Sequence, residues 1–185
     1  MANAVQPVRD PKQVREVERR LKRHYGKQFA QMWVFGINTA LRVSDVLTIR
    51  PHDVKNGILY VNEKKTKKSH RIVLNKAALA IYQEILKEYP DTEYLFQSRG
   101  NRGKGSGKPL ARQSVWKAFE EIGQMLDIKL GTHSMRKTRG YHMYKKTLDI
   151  ARVQKMLNHS SPATTMAYIG LDQDQIDDDF LSLVL

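Results

Sequence analysis

The chain has 185 residues, of which 41% are hydrophobic and 28% charged, a composition typical of one globular domain with a packed core. The 32 Lys and Arg residues against 19 Asp and Glu give a net charge of +13, which favours a polyanion such as nucleic acid as partner, although charge alone does not exclude a basic protein kept soluble by its surface. The absence of Cys excludes disulfides, thiolate nucleophiles and Cys-based metal sites, and the polar N-terminus predicts a cytoplasmic protein rather than a secreted or membrane one.

The first 50 residues predict helices. Residues 1–9 are expected to form a flexible arm. Asp10 followed by proline is typical of a helix start, with Asp as N-cap and proline at the first helical position. The apolar residues over 27–38 predict a buried helix, and a short helix is expected near 44–49, capped by Ser44.

The middle of the chain predicts a hairpin and a loop. Two largely apolar runs at 58–61 and 71–74 flank a very basic segment, which indicates a β-hairpin with a basic tip. Asn75 is the expected N-cap of a helix over 76–88. Residues 98–109 are rich in glycine and basic side chains and predict a mobile loop.

That glycine-rich loop does not match the phosphate-binding P-loop motif. Lys104 is followed by Gly and Lys108 by Pro, and neither has Gly at the required upstream position. We therefore predict no nucleotide hydrolysis and interpret the loop as a DNA contact or as a connection without a role. Its candidate DNA-binding residues are Arg99, Arg102, Lys104 and Lys108.

The second half predicts helices over residues 112–127, 132–146 and 149–157, and a short one after the Ser-Pro pair at 161–162. Thr132 is the expected N-cap of the second of these. The last fifteen residues contain five Asp and neither Lys nor Arg, and they end in an apolar run. The whole pattern predicts an α+β fold that is mainly helical, with a small antiparallel three-stranded sheet or β-hairpin.

Three short motifs carry residues suited to phosphate chemistry. Arg42 stands two residues before the expected cap Ser44, His133 and Arg136 are three residues apart near a helix start, and His159 precedes Tyr168 by nine residues. Each motif alone has an ordinary explanation. These are an arginine near a cap, a surface pair, and one packed aromatic among eight tyrosines.

Taken in order with the basic hairpin, these segments resemble the tyrosine recombinase family, the phage integrases and their relatives. The family boxes read here as T-A-L-R-V-S-D-V-L, K-K-T-K-K-S-H-R-I-V-L, T-H-S-M-R-K-T and M-L-N-H-S-S-P-A-T-T-M-A-Y. The 23-residue distance from Arg136 to His159 and the 9-residue distance from there to Tyr168 match the family as well. Four positions depart from its usual residues without removing a reactive group: Ala40, Asp45, Met135 and Asn158.

The resemblance implies a role for each matched residue. Tyr168 is the expected nucleophile, which becomes bonded to a DNA 3′-phosphate. Arg42 and Arg136 would hold the phosphoryl oxygens, and His133 and His159 would donate hydrogen bonds to them, with His133 also a candidate base toward the tyrosine. A hairpin lysine would protonate the leaving 5′-oxygen: Lys65 is preferred, and Lys64, Lys67 and Lys68 are the competitors and further DNA contacts. Asp45 is expected behind the site, orienting an arginine.

The resemblance also implies domain organisation and partners. It predicts a catalytic domain over 10–170 and a tail over 171–185 that docks on a neighbouring subunit or folds back on its own domain. Because about ten residues precede the first helix, the chain is expected to be either an excised catalytic domain or a minimal recombinase. The expected partners are double-stranded DNA, further copies in a homotetramer and DNA-bending accessory proteins, with no metal, cofactor or membrane. The alternatives are a type IB topoisomerase, a non-catalytic DNA-binding protein on this fold and a helix-turn-helix regulator.

Overall fold

The computed structural model describes residues 5–62, 69–99 and 107–171, together with Leu181, Ser182 and Val184. This described part is mainly helical and contains one antiparallel sheet of three strands, which confirms the predicted fold class. The helices are α1 (Pro11–Tyr25), α2 (Lys27–Thr39), α3 (Val43–Val46), α4 (Lys76–Glu88), α5 (Arg112–Met125), α6 (Ser134–Thr147), α7 (Ile150–Leu157) and α8 (Pro162–Ile169). The strands are β1 (Val54–Lys55), β2 (Ile58–Asn62) and β3 (Ser69–Val73).

Two helices begin where the sequence predicted a capping side chain. The carboxylate of Asp10 accepts a hydrogen bond from the Lys12 amide at 2.8 Å, and the Asn75 side chain accepts one from the Ala78 amide at 3.0 Å. Both caps satisfy amides that the first helical turn leaves without a partner. The predicted starts of α1 and α4 are therefore confirmed.

Two predicted caps were wrong. Ser44 lies inside α3, and Arg42 holds the N-cap position, because its extended backbone leaves its carbonyl free to accept from the amides of Asp45 and Val46. Thr132 is likewise replaced as N-cap of α6 by His133, whose carbonyl accepts the first helical hydrogen bond. His133 thus stands immediately before α6 rather than on its first turn.

The sheet has the strand order β1-β2-β3, with β2 paired in antiparallel register to both neighbours. In the β2–β3 pair, Tyr60 lies opposite Arg71 and Val61 opposite His70. The strand predicted at 71–74 in fact spans Ser69–Val73, since the Leu74 amide turns to the carbonyl of Gly57. The hairpin predicted from the sequence is therefore present, while its tip at 63–68 lies outside the described residues.

The principal hydrophobic core forms around α2. Met32, Trp33 and Phe35 are fully buried, as the apolar pattern over 27–38 predicted. The Trp33 ring meets Phe119 of α5 edge-on, with 5.5 Å between centroids, and Phe35 meets Phe96 in the same way at 5.6 Å. Such edge-to-face pairs add to the large apolar area that aromatic side chains bury, so α2 is a rigid base for the elements that follow it.

A second apolar cluster joins α6, α7 and α8. Its buried members include Val153, Leu157 and Ile169, and the ring of Tyr168 packs against it. Gly140 on α6 permits the close approach: a Cβ there would lie 2.7 Å from Ile169 Cγ2 and 3.2 Å from Leu157 Cδ1. Small residues let helices pack this closely, and the result fixes α8 against α6.

Residues 5–9, expected to belong to a flexible arm, are packed in the structure. Val8 is 4% exposed, its amide donates to Thr138 Oγ1 at 2.9 Å, and its carbonyl lies 3.0 Å from His142 Nε2. Arg9 donates to the carbonyl of Gly170 at 2.8 Å. This segment therefore ties α6 to the end of α8, which its polar sequence did not reveal.

Within the described residues, no helix is both long and apolar enough to cross a membrane.

Candidate active site

The centre of the candidate site is a contact between the start of α6 and the last turn of α8. The Nδ1 atom of His133 lies 3.1 Å from the phenol oxygen of Tyr168, within hydrogen-bonding distance. The helix α8, expected after the Ser-Pro pair, begins at Pro162 itself, and the Oγ of its N-cap Ser161 accepts from the Thr164 amide at 3.2 Å. Two turns later this helix presents Tyr168 to His133.

Arg136 is a buried arginine, 2% exposed, one turn into α6. One guanidinium nitrogen donates to the carbonyl of Ala40 at 2.6 Å and the other to the carbonyl of Leu157. The charge of Arg136 also acts on the phenol of Tyr168. The carbonyls belong to the ends of α2 and α7, where the negative ends of helix dipoles stabilise a cation. Arg136 is therefore held in place by two other helices.

His159 lies on the turn between α7 and α8, against the other side of the tyrosine. Its ring centroid is 4.9 Å from that of Tyr168, with the planes nearly perpendicular. Its Nδ1 lies 3.2 Å from the buried hydroxyl of Thr165, which itself donates to the carbonyl of Ser161 at 3.0 Å. The Thr165 hydroxyl therefore fixes the orientation of the His159 ring through its Nδ1 atom. The turn begins at Asn158, which has φ 52°.

Arg42 approaches the same site from the start of α3. Its charge, together with that of Arg136, acts on both Tyr168 and His133. Asp45, expected behind the site, is 1% exposed in the same short helix, three residues after Arg42. The sequence-predicted residues Arg42, His133, Arg136, His159 and Tyr168 thus come together in the structure.

The charges set the protonation of the two partners at the centre. Burial raises the pKa of the Tyr168 phenol, and the Arg136 and Arg42 guanidinium groups oppose that rise. Burial, reinforced by Arg136, Arg112, Lys137 and Arg42, lowers the pKa of His133 from its ordinary value of 6.5. At neutral pH the tyrosine is a phenol and His133 is a neutral imidazole, so the histidine is able to accept the phenol proton.

Sequence reasoning missed Lys137. It is 9% exposed, and its Nζ lies 5.1 Å from the centroid of the Tyr168 ring. Burial lowers the pKa of this lysine. In the sequence it follows Arg136 in a basic segment and looks like a surface lysine, and only the packing of α8 on α6 shows that it is buried.

Of the other residues predicted to contact DNA, some lie outside the described residues and two lie within them. Lys64, Lys65, Lys67 and Lys68 on the hairpin tip and Arg102 and Lys104 in the loop lie outside the described residues. Arg99 packs over the ring of Tyr89, 3.6 Å from its centroid, and burial lowers its pKa. Lys108 is exposed, and its carbonyl accepts from the Ser98 amide at 2.8 Å, which closes the base of the loop. The described residues contain no cluster of His, Asp or Glu suited to a metal ion.

Comparison with known proteins identifies the family. The model of the Phage integrase family matches residues 11–175, which include every residue of the candidate site. The chain belongs to the phage integrase family. This family member is 39% identical over 172 residues to a probable integrase/recombinase, YoeC, of Bacillus subtilis strain 168, with 92% of each chain covered. It is 29% identical over 133 residues to the tyrosine recombinase XerA of Pyrococcus furiosus, covering 70% of this chain and 46% of XerA.

Solved structures show the same fold. A XerH site-specific recombinase bound to a difH DNA substrate matches with a TM-score of 0.72 at 18% identity, covering 96% of this chain and 53% of that one. The Tn1549 transposon integrase in complex with transposon DNA matches with a TM-score of 0.73 at 14% identity, covering 98% and 68%. The phage integrase family chain thus has the fold of a tyrosine recombinase catalytic domain, and it spans about half the length of XerA and XerH.

Proposed function

We propose that this chain is the catalytic domain of a site-specific DNA recombinase that cuts and rejoins DNA through a 3′-phosphotyrosine intermediate at Tyr168. The observation that carries the proposal is the 3.1 Å contact between Tyr168 and His133, at a phenol on which the charges of Arg136 and Arg42 act. An electropositive site beside a neutral base is what a phenol needs to become a nucleophile near pH 7.

In the proposed cleavage step, the Tyr168 oxygen attacks the scissile phosphorus and the bond to the 5′-oxygen breaks. The phenol proton passes to His133, and Lys65 supplies a proton to the departing 5′-oxygen. Arg42, Arg136 and His159 stabilise the charge that develops on the phosphoryl oxygens. The reverse reaction uses a 5′-hydroxyl to expel the tyrosine. One phosphate ester replaces another in each direction, so strand exchange needs no nucleotide cofactor.

Double-stranded DNA is the proposed partner, and we expect the protein to act at the nucleoid. The surplus of basic residues supports this, because 32 Lys and Arg face 14 acids in the first 170 residues. The related structures support it too: XerH is described with its difH substrate and lambda integrase, as a dimer, with a core site. The similarity of this chain to integrases and tyrosine recombinases favours recombination over the topoisomerase and purely DNA-binding alternatives.

Assembly of four copies on DNA through exchange of the C-terminal tail is the finer part of the proposal, together with DNA-bending accessory proteins. Leu181 is 81% exposed and Val184 is 89% exposed, so these apolar side chains are available to a neighbouring subunit. Ending the chain at residue 171 should then leave cleavage of a single site intact and abolish higher complexes on DNA. Sedimentation of DNA complexes formed by the two chains would measure this, and equal complexes from both would contradict tail exchange.

A nicked-duplex trap tests the catalytic proposal. The substrates are a series of duplexes with a randomised central sequence, each nicked just 3′ of one potential cleavage position. After cleavage the short fragment diffuses away, so the covalent complex accumulates. The expected product is a protein–DNA adduct that survives denaturation and is absent with Tyr168→Phe. Equal adduct from both proteins, or from neither, contradicts the proposal. Relaxation of a supercoiled plasmid without strand exchange would favour the topoisomerase alternative.

The proton donor has its own test. Lys65→Ala should block cleavage of a normal substrate but cleave one with a 5′-thio leaving group, which departs without protonation. If the thio substrate is not rescued in Lys65→Ala but is rescued in Lys64→Ala, Lys67→Ala or Lys68→Ala, the proton comes from that other lysine.

A further inference from the structure

Lys137 is a buried cation whose position the proposed chemistry does not yet use. The residue is 9% exposed, and its ammonium faces the ring of Tyr168 at 5.1 Å. In the described part of the chain no carboxylate forms an ion pair with it. Burying a lysine without a counter-ion costs stability, because the ammonium loses its hydration. A lysine buried in this way is a candidate for a functional role.

The two neighbouring cations Arg136 and Lys137 leave α6 in different directions and contact different partners. Arg136 and Lys137 are consecutive on α6, so their side chains leave the helix about 100° apart. Arg136 turns toward the carbonyls of Ala40 and Leu157. Lys137 instead meets α8 at the tyrosine ring. An ammonium over an aromatic face attracts it electrostatically, and the attraction strengthens when water is excluded.

The same ammonium also acts on the base. The charged groups that lower the pKa of His133 are Arg136, Arg112, Lys137 and Arg42. They reach it from α6, from the start of α5 and from the N-cap of α3. Removal of Lys137 therefore takes away one of these four cations. The pKa of His133 should rise toward its ordinary value, and a larger fraction of His133 would be protonated in weakly acidic solution.

We propose that Lys137 is a positioning residue for strand cleavage: its ammonium holds the Tyr168 ring against α6, so that the phenol oxygen stays within reach of His133. This rests on the proposed function at Tyr168 and adds a residue to it. Lys137 does not donate the proton to the leaving group, and it does not contact DNA phosphate in the cleavage complex.

The test measures single-turnover cleavage of the nicked duplex at saturating DNA. Lys137→Met keeps the length of the side chain and removes its charge, and it should cleave about 5- to 30-fold more slowly, the range expected for a desolvated cation–ring contact. Lys137→Arg should stay within about threefold of the parent, since a guanidinium also binds an aromatic face. The matched control is Lys145→Met, an exposed lysine on the same helix.

Three further readings separate positioning from other roles. DNA affinity should be the same for Lys137→Met and Lys145→Met, whereas a phosphate contact would weaken only the former. A 5′-thio substrate should not restore cleavage by Lys137→Met, whereas a proton donor would be rescued. The acidic limb of the pH–rate profile should move to higher pH in Lys137→Met and remain in place in Lys137→Arg, which a space-filling role would not cause.

The proposal is overturned by parental cleavage rates in Lys137→Met, by equal slowing in Lys137→Arg, by rescue with the thio substrate or by a selective loss of DNA affinity. Circular dichroism and thermal unfolding check that each variant is folded, and Lys137→Gln replaces Lys137→Met if the latter is not. A parent protein that forms no adduct would defeat the proposed function instead. In that case NMR of 13C-labelled tyrosine tests the ring contact. The Tyr168 ring signal is assigned by its loss in Tyr168→Phe; it should shift in Lys137→Met and lie near its parental position in Lys137→Arg.

Discussion

The Nδ1 atom of His133 and the phenol oxygen of Tyr168 lie 3.1 Å apart, although 35 residues separate them in the sequence. The contact depends on α6 and α8 being packed together, with α7 returning the chain between them. Histidine and tyrosine are thus a candidate base and a candidate nucleophile in one hydrogen bond. This pair makes the protonation of His133 the first property to examine.

Cleavage should lose activity in acid only below the ordinary histidine range. The pKa of His133 is lowered from 6.5, so the neutral form persists to a lower pH than in a free histidine. A single-turnover pH profile should therefore show its acidic limb below pH 6.5. His133→Gln should cleave at least about a hundredfold more slowly, the usual contribution of a general base, and should no longer show that limb. An acidic limb above pH 6.5 in the parent would contradict the assignment of His133 as the base.

The same shift affects stability, with a definite sign. His133 binds a proton more weakly in the folded chain than in the unfolded one, so its contribution favours folding above pH 6.5 and is lost as the pH falls through the lowered pKa. Urea denaturation at pH 7.5 and pH 5 should show a smaller loss of unfolding free energy in His133→Gln than in the parent. An equal loss in both would exclude this histidine as the source.

Arg136 should be needed for folding as well as for chemistry. Lys in its place keeps one charge but does not reach the Ala40 and Leu157 carbonyls together. Arg136→Lys should lower the unfolding free energy by about 1–3 kcal/mol, the usual cost of a buried polar group left without its partner. The control is Arg19→Lys, an exposed arginine paired with Glu16, which should change it by less than about 0.5 kcal/mol. Equal stability of both variants would contradict the structural role of Arg136.

Thr165 should orient His159. Thr165→Val preserves the shape but removes the hydroxyl that contacts His159 Nδ1, so the imidazole is no longer fixed. We expect cleavage to slow by about tenfold, since a misoriented hydrogen-bond donor loses much of its transition-state contribution, with Thr165→Ser close to the parent. Cleavage rates on the nicked duplex measure this. Equal rates in Thr165→Val and Thr165→Ser would show that the hydroxyl has no such role.

Asn158 occupies a left-handed position at the end of α7, with φ 52°. Asparagine and glycine adopt this conformation readily, whereas a β-branched residue does not. Asn158→Gly should therefore leave the unfolding free energy within about 1 kcal/mol of the parent, and Asn158→Val should lower it by about 1–3 kcal/mol. Chemical denaturation of the two variants decides the matter, and a valine variant as stable as the glycine variant would contradict the backbone assignment.

The sequence allowed prediction of those features that adjacent residues determine. Asp10 and Asn75 cap helices through side chains that reach amides two or three residues away, so both starts were predicted correctly. The α6 start was missed by one residue because no side chain caps this helix: the carbonyl of His133 accepts its first hydrogen bond, and Thr132 does not cap it. A shift of the N-cap by one residue depends on tertiary surroundings that the local sequence does not contain.

The sequence predicted which residues form the candidate site, but not the hydrogen bonds that hold them in place. Ordered motifs named Arg42, Arg136 and Tyr168, because each residue type has a function that its spacing supports. That the Arg136 guanidinium ties two helix ends together follows only from tertiary packing. The burial of Val8 and of Lys137 was likewise hidden, since both stand in polar or basic segments and are covered by elements distant in the chain.

Locating the covalent bond between protein and DNA tests directly whether Tyr168 is the nucleophile. Trypsin cuts after Lys155 and finds no further Lys or Arg, so the last peptide spans residues 156–185 and contains Tyr168 as its single tyrosine. Adduct from the nicked duplex is digested with trypsin and nuclease and analysed by tandem mass spectrometry. We expect a nucleotide joined through its 3′-phosphate to Tyr168 in this peptide. A nucleotide on any other residue, or one joined through its 5′-phosphate, would contradict it.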